Sequence, residues 1–138
     1  MRSITILLMT ACIAAAGCAA SAKRMTSQEE REQFLQYAGT PVHEFTYLGR
    51  YDSWRALSND TLVVWTTFNK AYLLKVRQPC VGLLFAQSIG LSSTNHIVAA
   101  GLDSVRFRDN QNCFIDEIRP VDYRKMQADR KAARQKSA

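Results

Sequence analysis

Thr61-Leu62-Val63-Val64-Trp65-Thr66-Thr67, then Phe68-Asn69-Lys70, then Ala71-Tyr72-Leu73-Leu74-Lys75-Val76 is the stretch that decides the fold. The first limb is almost entirely β-branched, aromatic or leucine, which is the composition of a packed strand. Phe68-Asn69-Lys70 turns the chain. The second limb returns with Tyr72, Leu74 and Val76 on one face and Leu73 and Lys75 on the other, as a period of two requires. Together they predict a β-hairpin.

Working outward, the flanks read as more short strands. Ser58-Asn59-Asp60 is a turn signal before the hairpin. Asp52 to Leu57 and Phe45 to Tyr47 are candidate strands separated by Gly49. After the hairpin, Gln78-Pro79-Cys80 interrupts pairing. Gly82 to Ile89 fits either a helical turn or a strand, and Ser92-Ser93-Thr94-Asn95 is loop. His96 to Ala99 and Asp103 to Arg108 are strands around Gly101, and Asp109-Asn110-Gln111-Asn112 is a turn. Cys113 to Ile118 is the last strand. Ile115 and Ile118 are three apart, so a bulge or burial of both faces has to reconcile them.

Helices are expected at both ends. Ser27 with Glu30 has capping-box spacing, Phe34, Leu35 and Ala38 supply an apolar stripe, Gly39 suits a C′ position and Pro41 ends the helix. Pro120 is expected near the first turn of a second helix, from about Val121 to Gln135. Helix, strands, helix indicates an α+β fold: a small antiparallel sheet, curled or a partial barrel, flanked by an N-terminal and a C-terminal helix.

The first residues speak to address. Arg2 precedes an apolar run from Ile4 to Ala16. That run is too short for a span of about 20 residues and suits a signal-peptide core. It ends Ala15-Ala16-Gly17-Cys18, which resembles a lipobox, although Leu is usual where Ala15 stands. Cys12 is a weaker second candidate. The favoured reading is a signal peptide over 1–17, lipid attachment at Cys18, a tether over 18–26, one small domain over 27–120 and a basic helix or tail over 121–138. The alternative is cleavage after Ala20 or Ala22, which releases a soluble periplasmic protein. Several acyl chains on one cysteine anchor a protein durably. Ala19 rather than Asp after the anchor favours the inner face of the outer membrane.

Of the four cysteines, Cys12 leaves with the signal peptide and Cys18 takes the lipid. Cys80 and Cys113 remain, in an oxidising compartment, and a disulfide between them is expected. A two-cysteine metal or redox site is the weaker reading, since there is no CxxC and no nearby histidine.

Charge argues against nucleic acid. The net charge is +6. Residues from Cys18 to Ile118 balance, whereas Arg119, Arg124, Lys125, Arg130, Lys131, Arg134 and Lys136 outnumber Asp122 and Asp129. The basicity thus belongs to the tail, whose partners are anionic headgroups or acidic envelope polymers, if it has any. A solvated helix face is the plainer reading.

Asp60-x-Leu-Val-Val-Trp65, Ala71-Tyr-Leu-Leu74, Pro79-Cys-x-Gly-Leu83, Phe85-Ala86, Ile89-Gly-Leu-Ser-Ser93, Ala100-Gly-Leu-Asp-Ser-Val105 and Cys113-x-Ile-x-x-Ile-Arg-Pro-Val-Asp122 together resemble a family of small Gram-negative lipoproteins known only as a domain of unknown function. The resemblance runs from about Phe45 to Asp122. It implies a lipoprotein with a two-cysteine framework and carries no activity with it.

No motif for chemistry stands out. His43 and His96 lie outside any metal-binding spacing. Asp116 and Glu117 are neighbours that point to opposite faces of a strand unless a bulge re-aims them. Ser92, Ser93 and Ser104 lack a nucleophile elbow. Gly82, Gly90 and Gly101 form no phosphate loop. No metal or cofactor is expected. The sharper idea concerns aromatics: Trp54, Trp65 and Tyr72, with Tyr47 and Tyr51, would make a ligand-facing platform for sugar rings, or else core. The leading expectation is a non-enzymatic envelope lipoprotein, an interaction or structural module whose partners are the membrane and an envelope protein or polymer. A small-ligand or glycan-binding domain comes second and an envelope hydrolase third.

Overall fold

The structure is a computed structural model, and it describes residues 24–108 and 111–138. The expectations for the signal peptide, Cys18 and most of the tether lie outside the described residues, as do Asp109 and Asn110. Among the described residues the order is α1 (Ser27–Gln36), β1 (Glu44–Thr46), β2 (Ser53–Ala56), β3 (Thr61–Thr67), β4 (Lys70–Val76), a 3-10 turn (Leu83–Phe85), β5 (Gly90–Leu91), β6 (Ile97–Ala99), β7 (Ser104–Phe107), β8 (Gln111–Val121) and α2 (Tyr123–Lys136). Six strands form one antiparallel sheet in the order β2-β3-β4-β8-β7-β5, and β1 pairs with β6 beside it. This is the expected α+β fold, a curled antiparallel sheet with a helix at each end of the chain.

The decisive hairpin forms as read. Leu62 pairs with Leu74 and Val64 with Tyr72. The alternation divides the interior in two. Leu62, Val64, Leu74 and Val76 face a core shared with Phe45, Leu83, Val98, Val105 and Ile115. Val63, Ala71 and Leu73 face the other way, onto Phe34 of α1 and Met126 of α2. The sheet is therefore a middle layer, with both helices on one face and the β1–β6 ribbon and the 3-10 turn on the other.

β8 holds the layers together. Its first residues pair with β7, and its later ones pair with β4. Lys75 pairs with Glu117 but Val76 with Ile115, so Asp116 is an extra residue, a bulge. The bulge re-phases the strand, and Ile115 and Ile118 are both fully buried.

The ends need three corrections. The capping box uses Thr26 and Glu29, not Ser27 and Glu30: the Thr26 hydroxyl accepts from the Glu29 N–H, and the Glu29 carboxylate accepts from the Thr26 N–H. Glu30 instead pairs with Arg55 of β2. Gly39 is not a left-handed cap. Its N–H donates to the Pro120 carbonyl at 2.7 Å, and a Cβ there would lie 3.4 Å from the proline ring. Pro120 is a strand residue rather than the start of a helix. Its carbonyl faces Gly39, away from the β4 ladder, so its missing N–H removes no bond to β4. Asp122 caps α2 by accepting from the Lys125 N–H.

Candidate functional site

The turn after β4 is fixed at two points. Cys80 is buried and bonded to Cys113, with Cα atoms 5.8 Å apart. Three residues on, Leu83 is fully buried in the ribbon-side core. Between them Gly82 adopts a φ of 93°, which L side chains rarely take. The Phe85 N–H then donates to the Gly82 carbonyl. Gln78 ties the approach down, donating to the Asn59 carbonyl and accepting from the Cys80 N–H.

With Cys80 and Leu83 pointing inward, their neighbours must point out. Val81 is 72 % exposed and Phe85 79 %, and Leu84 is also exposed. Three apolar side chains thus stand on a turn pinned at Cys80 and Leu83. Exposed apolar residues scattered singly need no explanation; three within five residues of a fixed turn make this the candidate site. The sequence held a signal for it. Only one of Leu83-Leu84-Phe85 can be buried by a single turn between Pro79 and the next strand. Reading Gly82 to Ile89 as either turn or strand left that signal unused.

Of the five aromatic residues, Tyr47, Tyr51, Trp54 and Tyr72 share the ribbon-side cluster and Trp65 stands apart. Trp54, Val64 and Tyr72 form one cross-strand row on the ribbon side, where Tyr72 stacks on Phe45 with centroids 4.4 Å apart. Trp65 lies on the helix side, edge-on to Phe34 and Tyr123 at 5.8 and 5.4 Å. Its indole N–H is buried with no partner among the described residues. Tyr51 donates to the Ile89 carbonyl, and Tyr47 is buried, which holds its phenol pKa above the ordinary value through desolvation.

His43 and His96 are both exposed. His96 is not the first residue of a strand. With Asn95 it forms a tight turn in which both residues have positive φ, closed by two bonds between Thr94 and Ile97. Asp116 binds Arg77 and Glu117 binds Arg119, so the neighbouring carboxylates serve separate ion pairs. Ser92 and Ser104 are engaged with Asp103: Ser92 donates to its carboxylate, as does the Ala99 N–H, and the Ser104 N–H donates to Ser92. That buried carboxylate ties the β6–β7 turn to the strand beyond. On the helix side, Arg31, Lys75 and Arg119 line a shallow cleft with Glu117. No group of three or more His, Cys, Asp or Glu among the described residues is placed to hold a metal ion. No helix among them is long and apolar enough to cross a membrane.

Compared with protein-family models, the chain matches a Family of unknown function (DUF6491) over residues 1–137. No curated protein and no solved structure matches it.

Proposed function

The chain belongs to that family of unknown function, and from this premise we propose that it is a non-enzymatic lipoprotein of the cell envelope, held by Cys18 and offering its periplasmic domain to a partner protein. The observation that carries this reading is the turn bearing Val81, Leu84 and Phe85. A convex apolar knob on a fixed backbone is complementary to a concave apolar pocket. Proteins supply such pockets, and a central anchor residue there dominates affinity. Phe85 is that anchor.

The address rests on separate support. The run from Ile4 to Ala16 and the small residues before Cys18 suit export and lipidation. The Cys80–Cys113 disulfide suits an oxidising compartment. Ala19 after the anchor favours the inner face of the outer membrane.

The test is photo-crosslinking in cells from position 85, with position 124 on α2 as the control. The expected result is one discrete protein adduct from position 85, absent from position 124. Phe85→Ala should weaken capture of that partner at least about 30-fold, the effect of losing a central anchor. No adduct, or the same diffuse adducts from both positions, would sink the reading. Intact mass checks the anchor: the protein from native membranes should begin at Cys18 and carry acyl chains.

A further inference from the structure

The two helices share one face of the sheet and run in opposite senses. α1 enters at the outer strand β2, where Glu30 pairs with Arg55, and ends at β8, where the Tyr37 carbonyl accepts from the Asp122 N–H. α2 starts from that same point and returns: Tyr37 donates to Asp129, and Arg130 donates to Gln33 one turn back along α1. The start of α1 and the end of α2 therefore lie towards the same end of the helix pair.

α2 outruns its support. Met126 is fully buried and Arg130 half-buried over the Phe34 ring, but every residue from Lys131 to Ala138 is exposed. The helical part of that overhang, Lys131 to Lys136, is about 9 Å long at 1.5 Å per residue. It carries Lys131, Arg134 and Lys136 with no acidic residue, and none of the three makes an ion pair among the described residues. Exposed Arg24 adds to the charge where the chain arrives at α1. Cations in the last turn do suit the helix dipole. That accounts for Arg134 and Lys136 at most, and not for Lys131 or Arg24.

We propose that this overhang lies on the anionic phospholipid surface of the membrane that holds the protein. The inference rests on the Cys18 anchor for the membrane's location. Seven residues from Ala19 to Met25 span at most about 24 Å fully extended, so an anchored domain is never far from the headgroups. Its unpaired cations then meet a negative surface within reach of the tether. Docking by that end brings the end of the helix pair to the membrane. The turn 81–85, on the opposite face of the sheet from the helices, takes no part in that contact.

The experiment uses full-length protein purified from membranes and mixed with vesicles of neutral phosphatidylcholine, with or without phosphatidylglycerol. Flotation reports the anchor, and amide hydrogen exchange over Lys131 to Lys136 reports the docking. The expected result is flotation with both vesicle types. Exchange at the overhang should slow about 10-fold or more on anionic vesicles alone and recover in high salt. Binding at an anionic surface weakens roughly 5-fold for each cation removed. K131Q/R134Q/K136Q should therefore abolish the slowing while flotation persists. Flotation only on anionic vesicles, lost in high salt and in the triple variant, would keep the docking and discard the anchor. Unchanged exchange on anionic vesicles would overturn the docking whatever the flotation shows, as would equal slowing by soluble polyphosphate.

Discussion

Asp60 shows how a single side chain sets local structure and its pH response. Its carboxylate accepts from the Ser58 and Thr61 hydroxyls within the turn into β3, and its carbonyl accepts from the Val76 N–H at the end of β4. The Ser58 hydrogen bond, seconded by Thr61 and by the charges of Arg31 and Lys75, holds its pKa below the ordinary value against the opposing effect of burial. A depressed folded pKa means that the ionised form favours folding. The contribution is complete above the unfolded value near 4 and is lost as pH falls through the lower folded value. Asp60→Asn keeps the acceptor oxygen without the charge. Urea midpoints should therefore place the variant below the parent at neutral pH, with the gap closing as the pH falls below the folded value. A gap of constant size would refute the assignment. His96 is the opposite case, a residue its backbone does not suit. At a φ of 62° a side chain is strained by about 1 kcal/mol or more. His96→Gly should raise the urea midpoint, and lowering it would show that the exposed imidazole has an uncounted role.

At the scale of elements, β8 and the disulfide work together. Cys113 stands near the start of β8 and Cys80 just beyond the end of β4, so the bond closes a loop over a separation of 33 residues. The chain-entropy model assigns about 3.8 kcal/mol to such a loop. Replacing both cysteines by Ala should lower stability by roughly that amount and loosen the turn 81–85, read as faster cleavage there under limited proteolysis. A stable variant with the turn still protected would mean that Leu83 alone holds it. The β3–β4 hairpin was legible because its alternation is local and regular. The Asp116 bulge was legible only as a conflict between Ile115 and Ile118, since its resolution depends on which residues of β4 stand opposite. Pro120 misled because a proline before a polar run is a sound start signal for a helix. The long-range pairing with Tyr72 of β4 and the approach of Gly39 make it a strand residue. The capping box misled by one place because Thr26-Ser27-Gln28-Glu29-Glu30 contains the spacing twice. Glu30, the other candidate, pairs instead with Arg55, 25 residues away.

Across the whole molecule, the sheet separates two cores that fold on different supports. The ribbon-side core is closed by the disulfide turn and the β1–β6 pair, the other by two helices that touch chiefly through Phe34, Met126 and a few polar contacts. Met126→Ala removes a fully buried side chain from the smaller core and should destabilise by about 2–5 kcal/mol. The loss should appear first as faster amide exchange in α1 and α2, with β7 and β8 still protected; uniform loss would mean that the layers are one cooperative unit. The candidate contact surface was less legible than the fold. Its residues are ordinary apolar ones, and the exposure that marks them arises because Cys80 and Leu83 are buried by partners distant in sequence. Trp65 stands apart from Trp54 and Tyr72 for a reason already in the hairpin. With Trp65 opposite Ala71 rather than Tyr72, a period of two sends Trp65 and Tyr72 to different faces.

That division gives the unlabelled protein two native optical probes. Trp65, between Phe34 and Tyr123, senses the arrival and departure of the helices, and Trp54, in the row with Val64 and Tyr72, senses the ribbon side. Changing one tryptophan to phenylalanine leaves an emission signal belonging to a single layer. A pair of such variants, unfolded side by side, would time the two halves of the structure separately with no dye attached.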